Sequence, residues 1–185
     1  MRTNTLYRTA LLLACALATP ALAPAQTNPL SDHNRHMYAG VKVILLRSAQ
    51  KMPEAHYGFK PTDVVRSFGQ IIGHAADWQY RYCSTVLGEQ NPAPASIEKT
   101  KTTKGELVAA LEAAFVYCDR AYDGLTDATA TQMVKLGMEM PKLGVLHINN
   151  IHSTEHYGNL ITYMRMKDIV PPSSEPGFMV LPPKR

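Results

Sequence analysis

Apolar positions recur every three to four residues through most of the chain, and the pattern breaks at a few Pro- and Gly-rich points. Over 31–52, Met37, Val41, Ile44 and Leu45 fall at helical spacing, with Ser31 or Asp32 placed to cap the start. Met52-Pro53 and the turn-like His56-Tyr57-Gly58-Phe59-Lys60-Pro61 end this first helix. Thr62 or Asp63 can cap a second helix that reaches Leu87 and is closed by Gly88; Val64, Phe68, Ile71, Ala75, Tyr82 and Val86 form its apolar stripe. The longest break covers 89–104 and holds Pro92 and Pro94. A third helix is expected over 105–122, with Leu107, Ala110, Leu111, Ala114 and Phe115 inward. Residues 126–140 read as weakly helical or irregular, and no segment alternates convincingly as a strand. The fourth long helix starts near Pro141, a favourable first-turn residue, and runs to about 167, where Pro171-Pro172 stops the chain. There is no internal repeat.

Four long helices predict an all-α four-helix bundle. The tight connection between the first two makes them antiparallel neighbours. The break before the third is long enough to run back along the bundle: a 20-residue helix spans roughly 30 Å, and extended chain covers about 3.3 Å per residue. Helices two and three can then lie parallel. In that arrangement Cys83 and Cys118, each near the C-terminal end of its helix, meet at one end of the bundle; an antiparallel pair would hold them far apart. A Cys83–Cys118 disulfide and a long parallel crossover therefore support each other, with two buried thiols as the alternative.

Composition changes the picture at the N-terminus. Arg2 and Arg8, a short apolar run over 10–18 and the small-residue pattern Ala23-Pro24-Ala25 have the build of a secretory signal, with cleavage expected before Gln26. The run is too short to span a bilayer, and too brief ahead of Cys15 for Leu12-Leu13-Ala14-Cys15 to act as a lipoprotein box, so no stable membrane anchor is expected. The organisation read from the sequence is a signal peptide over 1–25, a bundle over 26–170 and a Pro-rich surface tail over 171–185. The exported chain would be periplasmic or extracellular. Arg2 and Arg8 leave with the signal and no acid does, so the net charge falls from +4 to about +2. Without a dense basic stripe, nucleic acid is not an expected partner. Of the three cysteines, Cys15 goes with the signal, and an oxidising compartment favours pairing of the other two. There is no Cys-x-x-Cys-His for covalent haem.

The candidate chemistry lies in the histidines. His152 and His156 are four apart on one helix, so their rings stack on one face a turn apart, a standard way to present two imidazoles to one metal. At about 100° per residue that face also carries Val145, Ile148, Asn149, Asn159 and Tyr163. The two amides are candidates to orient the ring nitrogens. His74, at the edge of the second helix's stripe between Ile71 and Trp78, is the third candidate. The competing reading of all three is as ordinary core or surface histidines. His152-Ser153-Thr154-Glu155-His156 also matches the inverted zinc-peptidase pattern, but that chemistry needs a further acidic ligand downstream. Only 29 residues follow His156, Glu175 in the Pro-rich tail is a poor ligand candidate, and Glu155 sits about 60° off the His152 direction. No Glu-x-x-His pair of the di-iron type is present. Asp77, one turn past His74, and Glu155 are the nearest acids in sequence, and both read as structural. His33, His36, His56 and His147 read as surface or loop residues.

Two stretches carry a resemblance. Met52-Pro53-Glu54, Tyr57-Gly58-Phe59-Lys60-Pro61-Thr62 and Val65-Arg66-Ser67-Phe68-Gly69-Gln70-Ile71-Ile72-Gly73-His74-Ala75-Ala76-Asp77 form the first. Asn150-Ile151-His152-Ser153-Thr154-Glu155-His156-Tyr157-Gly158-Asn159-Leu160 with Tyr163-Met164-Arg165 forms the second. In this order they resemble the DinB family over nearly all of the chain after 25. The resemblance implies an up-down-down-up bundle, and a divalent metal bound by one histidine of helix two and two of helix four, at His74, His152 and His156. It also implies pairing into homodimers. One departure is Tyr157, where the family often has Arg; it bears on substrate contacts near the metal, not on ligation. Three neutral imidazoles leave positions open for water or substrate, as in a reactive site rather than a closed structural one. Zn²⁺ and Ni²⁺ suit such a set, with Fe²⁺ and Mn²⁺ as further candidates. Related bundles include thiol-dependent transferases and metal-dependent hydrolases. Export argues against the transferase, whose thiol cofactors are cytoplasmic. The expected function is therefore a metal-dependent hydrolase acting on a small molecule, with a non-catalytic ligand- or metal-binding module, or a structural bundle with a vestigial site, as alternatives.

Overall fold

In the computed structural model, which describes residues 27–178, helix α1 runs over Pro29–Lys51. The expected signal segment and the last seven residues of the tail lie outside the described residues. The start of α1 differs from expectation. Asn28 is the N-cap residue, and Ser31 and Asp32 sit inside the helix. The first-turn amides are taken by a remote carboxylate: Leu30 and Ser31 donate their N–H groups to Asp127 at 3.2 and 2.8 Å, and the Ser31 hydroxyl donates to it at 2.7 Å. A carboxylate there complements the positive end of the helix dipole. Met37 is exposed, and Asn34 and Tyr38 face inward instead.

Helix α2 covers Phe68–Leu87, so neither Thr62 nor Asp63 caps it and Val64 is almost fully exposed. Ser67 is the cap. Its hydroxyl accepts from the Gln70 amide while the Gln70 side chain accepts from the Ser67 amide, a reciprocal capping box. Thr62 and Asp63 have no such partner three residues on. Phe68 and Gly69 are also tied by their amides to Phe59 and Tyr57 carbonyls, so the connection ends where the helix begins. Gly88 closes α2 in the left-handed conformation, φ 70°, which glycine adopts without steric cost.

The long break contains a one-turn helix α3, Ile97–Thr100. Helix α4, Lys104–Asp123, starts from a second capping box made by Thr103 and Glu106. The stretch 126–140 is the clearest departure from the expected pattern. It holds an antiparallel hairpin, β1 Met133–Leu136 and β2 Met138–Pro141, turning at Gly137 with φ 76°. Four-residue segments such as these, each carrying one charged residue (Lys135 and Glu139), are too short for periodicity to distinguish strand from helix. Helix α5 spans Lys142–Arg165, with Pro141 outside it as the N-cap residue rather than in its first turn.

The four long helices enclose one core that includes Leu45, Phe68, Ile72, Leu111, Phe115, Tyr122, Leu146 and Leu160. Tyr38 of α1 stacks on Tyr122 of α4 at 3.8 Å between ring centroids, and the Tyr122 hydroxyl donates to the Leu146 carbonyl of α5. Lys42 pairs with Asp119, and Gln50 donates to Glu112. Between α2 and α4, Gly73 lies against Leu107, and Cys83 and Cys118 form a disulfide with Cα atoms 5.3 Å apart. The tail does not simply trail over the surface. Pro171 and Pro172 are buried, the Tyr157 hydroxyl donates to Ser173, and Glu175 pairs with Arg47 and Lys51. Among the described residues, no helix is long and apolar enough to cross a membrane.

Candidate metal centre

Helices α2 and α5 are pinned together by a buried polar network just past the histidines. Gln79, five residues after His74, donates to the Ser153 hydroxyl at 2.8 Å and accepts from the Asn149 amide at 2.8 Å. Asn149 also donates to the Tyr122 hydroxyl at 3.2 Å. Satisfying these buried groups together specifies the register of α2 against α5. That register brings His74 opposite His152 and His156. The ring centroids of His74 lie 5.2 Å from His152 and 4.8 Å from His156, and those of the α5 pair are 4.4 Å apart.

The three side chains each offer a nitrogen within 4.8 Å of the others. The Nε2 atoms of His152 and His156 face each other at 3.0 Å, close to the separation of about 3.0–3.4 Å for two nitrogens each roughly 2.0–2.1 Å from a shared ion. His74 Nδ1 is 2.8 Å from Glu98 Oε2, which leaves Nε2 as its free donor. Trp78 and Tyr82 flank His152, at 5.3 and 5.7 Å between centroids. Burial first, then the neighbouring His156, His74 and Arg66, push His152 down to about 3. Burial, His74 and Arg66 bring His156 down to about 4, against smaller opposing effects of Glu155 and Glu98. Both rings are therefore neutral near pH 7, the form that ligates. An all-imidazole, partly buried set of this spacing fits a divalent transition ion.

Glu98 was not visible in the sequence. It comes from α3 in the crossover, 24 residues from His74. Its other oxygen accepts from Arg66 Nε at 2.8 Å. Burial favours the protonated acid, but the Arg66 and His74 hydrogen bonds outweigh it and hold the carboxyl below its usual range. Asp77 reads correctly as structural: it accepts from the amides of Ile97 and Glu98 and from the Ser96 hydroxyl, at 2.7, 3.1 and 2.8 Å, and so holds the start of α3 on α2. Gly73 makes this approach possible, since a Cβ there would sit 2.7 Å from Glu98 Cα. A glycine inside a helical pattern, one residue before a histidine, was the one sequence signal of a close backbone neighbour.

The expected orienting amides do not serve the rings. Asn149 is committed to Gln79 and Tyr122, and Asn159 is exposed. The Nδ1 atoms of His152 and His156 are buried with no hydrogen-bond partner among the described residues. Glu155 is exposed on the flank. The Tyr157 hydroxyl is occupied by Ser173. His33 and His147 are exposed and line a separate apolar cleft with Met37 and Leu143. His36 and His56 are half-buried. Beside the three histidines opens a polar cleft of about 610 Å³, bordered by His156, Glu98, Arg66, Lys60, Asn159 and Tyr163.

Comparison with known proteins agrees with this architecture. The sequence profile of the DinB superfamily matches residues 42–160. A DinB-like protein from Bacillus cereus ATCC 10987 superposes with a TM-score of 0.68 at 12% identity, covering 76% of this chain and 95% of that one. A DinB-like protein from Bacillus subtilis superposes with a TM-score of 0.59 at 19% identity, covering 84% and 96%. No curated protein matches the sequence. The matched span includes α2, the crossover and both α5 histidines, and the chain belongs to the DinB superfamily.

Proposed function

We propose that His74, His152 and His156 hold one divalent transition ion, Zn²⁺ or Ni²⁺ before Fe²⁺ or Mn²⁺, and that the chain is an exported hydrolase acting on a small molecule. The observation that carries this reading is three imidazoles converging from two helices beside a polar cleft of about 610 Å³ that His156 borders. An ion bound there would supply Lewis acidity, acidifying water and polarising a substrate oxygen. The chain's own groups do the rest. The histidines bind as neutral donors, and Trp78 and Tyr82 shield His152 from water. Arg66, Lys60 and Asn159 border the space a substrate would enter. The order of the long helices is read as up-down-down-up. This is supported by pairs that advance together along α2 and α4, Gly73 with Leu107 and Cys83 with Cys118, and by pairs that run oppositely along α2 and α5, His74 with His156 and Cys83 with Asn149.

The direct test is a panel of ester, amide and lactone substrates turned over by wild-type protein reconstituted with each metal. Metal-dependent turnover that disappears in His156→Ala supports the hydrolase. Equal turnover by stripped and loaded protein contradicts it. One observation favours a second reading, a non-catalytic ligand- or metal-binding module. Glu98 and Asp77 are both committed to hydrogen bonds and Glu155 is exposed on the flank of α5, so none of the three stands ready as a general base. Saturable ligand binding by the loaded protein without turnover would select that reading. Export is tested separately by the mass of the secreted chain, expected to begin at Gln26. Pairing into a homodimer is tested by light scattering.

A further inference from the structure

The three histidines are not supported alike. His152 and His156 have buried Nδ1 atoms without a partner among the described residues, whereas His74 Nδ1 meets a carboxylate held from three sides. Arg66 Nε fixes one Glu98 oxygen, Asp77 anchors the Glu98 backbone through its amide, and the bare Cα of Gly73 lets that backbone press onto α2. An ionised carboxylate only accepts, so in the neutral His74 ring the proton sits on Nδ1 and the lone pair on Nε2, toward the other two rings. The side chains of His74 and Glu98 are only 13% and 18% exposed, which limits competition from water.

We infer that Glu98 is a positioning residue for the candidate metal centre: through its bond to His74 Nδ1 it selects the ligating tautomer and ring orientation of His74, and so makes metal affinity depend on the crossover helix. The inference rests on the reading that the three histidines hold a metal. Outer carboxylates of this kind orient a ligating imidazole and raise its basicity, and their loss typically costs 10–100-fold in affinity. The cost falls on one ligand here, because the other two rings lack such a partner. It also explains why Arg66, Gly73 and Asp77, none of them in the three-histidine set, all bear on the placement of Glu98.

Two measurements test it. The first is the ¹⁵N chemical shifts of His74 in metal-stripped wild-type protein, which need no metal. A proton on Nδ1, moving to a mixture of tautomers in Glu98→Gln, is expected; a proton on Nε2 in the wild type would overturn the assignment. The second is Zn²⁺ affinity by chelator competition for wild type, Glu98→Gln and Glu155→Gln, the last an exposed acid beside His156. Glu98→Gln should lose about 10–100-fold and Glu155→Gln less than about threefold, with both variants melting as cooperatively as wild type when stripped. Equal losses in the two variants, or none in either, would overturn the proposal. If the wild type itself binds no Zn²⁺, the metal reading fails, and the tautomer measurement still decides whether Glu98 sets His74.

Discussion

A single missing side chain decides how close the crossover comes to the histidines. At an unconstrained helix-interior site, Gly→Ala stabilises by roughly 1 kcal/mol. At Gly73 the added Cβ would meet Glu98 Cα at 2.7 Å and Glu98 N at 2.9 Å, and backbone cannot swing aside as a side-chain end can. Gly73→Ala is therefore expected to lose about 1–3 kcal/mol in urea unfolding, and to weaken Zn²⁺ binding as Glu98 is pushed off His74. A gain in stability would show that α3 is not pressed on α2. The pH response also belongs to this scale. His152 and His156 have folded pKa values lowered to about 3 and 4 from an ordinary value of 6.5. Below 6.5 the unfolded chain binds protons that the folded chain refuses, so these groups add nothing above that pH and subtract stability as pH falls from 6.5 toward 4. Metal-free wild type should lose melting temperature over that window, and His152→Ala/His156→Ala should show a flatter profile. Parallel profiles would contradict the burial of the pair.

At the scale of elements, the register of α2 against α5 creates the site, and the Gln79 network sets that register. Gln79→Leu leaves Ser153 and Asn149 buried without their partner, at about 1–3 kcal/mol each. A loss of about 2–5 kcal/mol by thermal melting is expected, together with weaker Zn²⁺ binding although no ligand is touched. Unchanged stability would remove the network from the account. The Cys83–Cys118 disulfide joins α2 to α4 across 35 residues of chain, and a loop of that length is worth about 3–4 kcal/mol. Cys83→Ala/Cys118→Ala should melt correspondingly lower and should no longer respond to reductant. What was legible in the sequence follows the same division. Helices with a clean apolar stripe could be read, as could the Gly88 stop and the His152/His156 pair, because one turn of helix encodes their contacts. The α2 start could not be separated from Thr62 and Asp63 without the reciprocal Ser67–Gln70 bonds. The hairpin at Gly137 was hidden because its four-residue strands are too short to show a distinguishing period. Glu98 was hidden because its partner is 24 residues away and spacing says nothing across a crossover.

For the whole molecule, a bundle closed by a disulfide, a packed crossover and a C-terminal segment tied to α1 by Glu175 holds three imidazoles together beside a polar cleft. The hydrogen bonds that fix α2, α3 and α5 against one another surround the histidines, at Gln79, Asp77 and Glu98. The central claim is that the ion binds there. Elemental analysis of protein purified without a metal-affinity tag, beside a His74→Ala, His152→Ala, His156→Ala triple variant, tests it most directly. About one equivalent of a transition metal per chain in the wild type, absent from the variant, is the predicted result. No metal above background after reconstitution with Zn²⁺, Ni²⁺, Mn²⁺ and Fe²⁺, in wild-type protein that is folded, would contradict it.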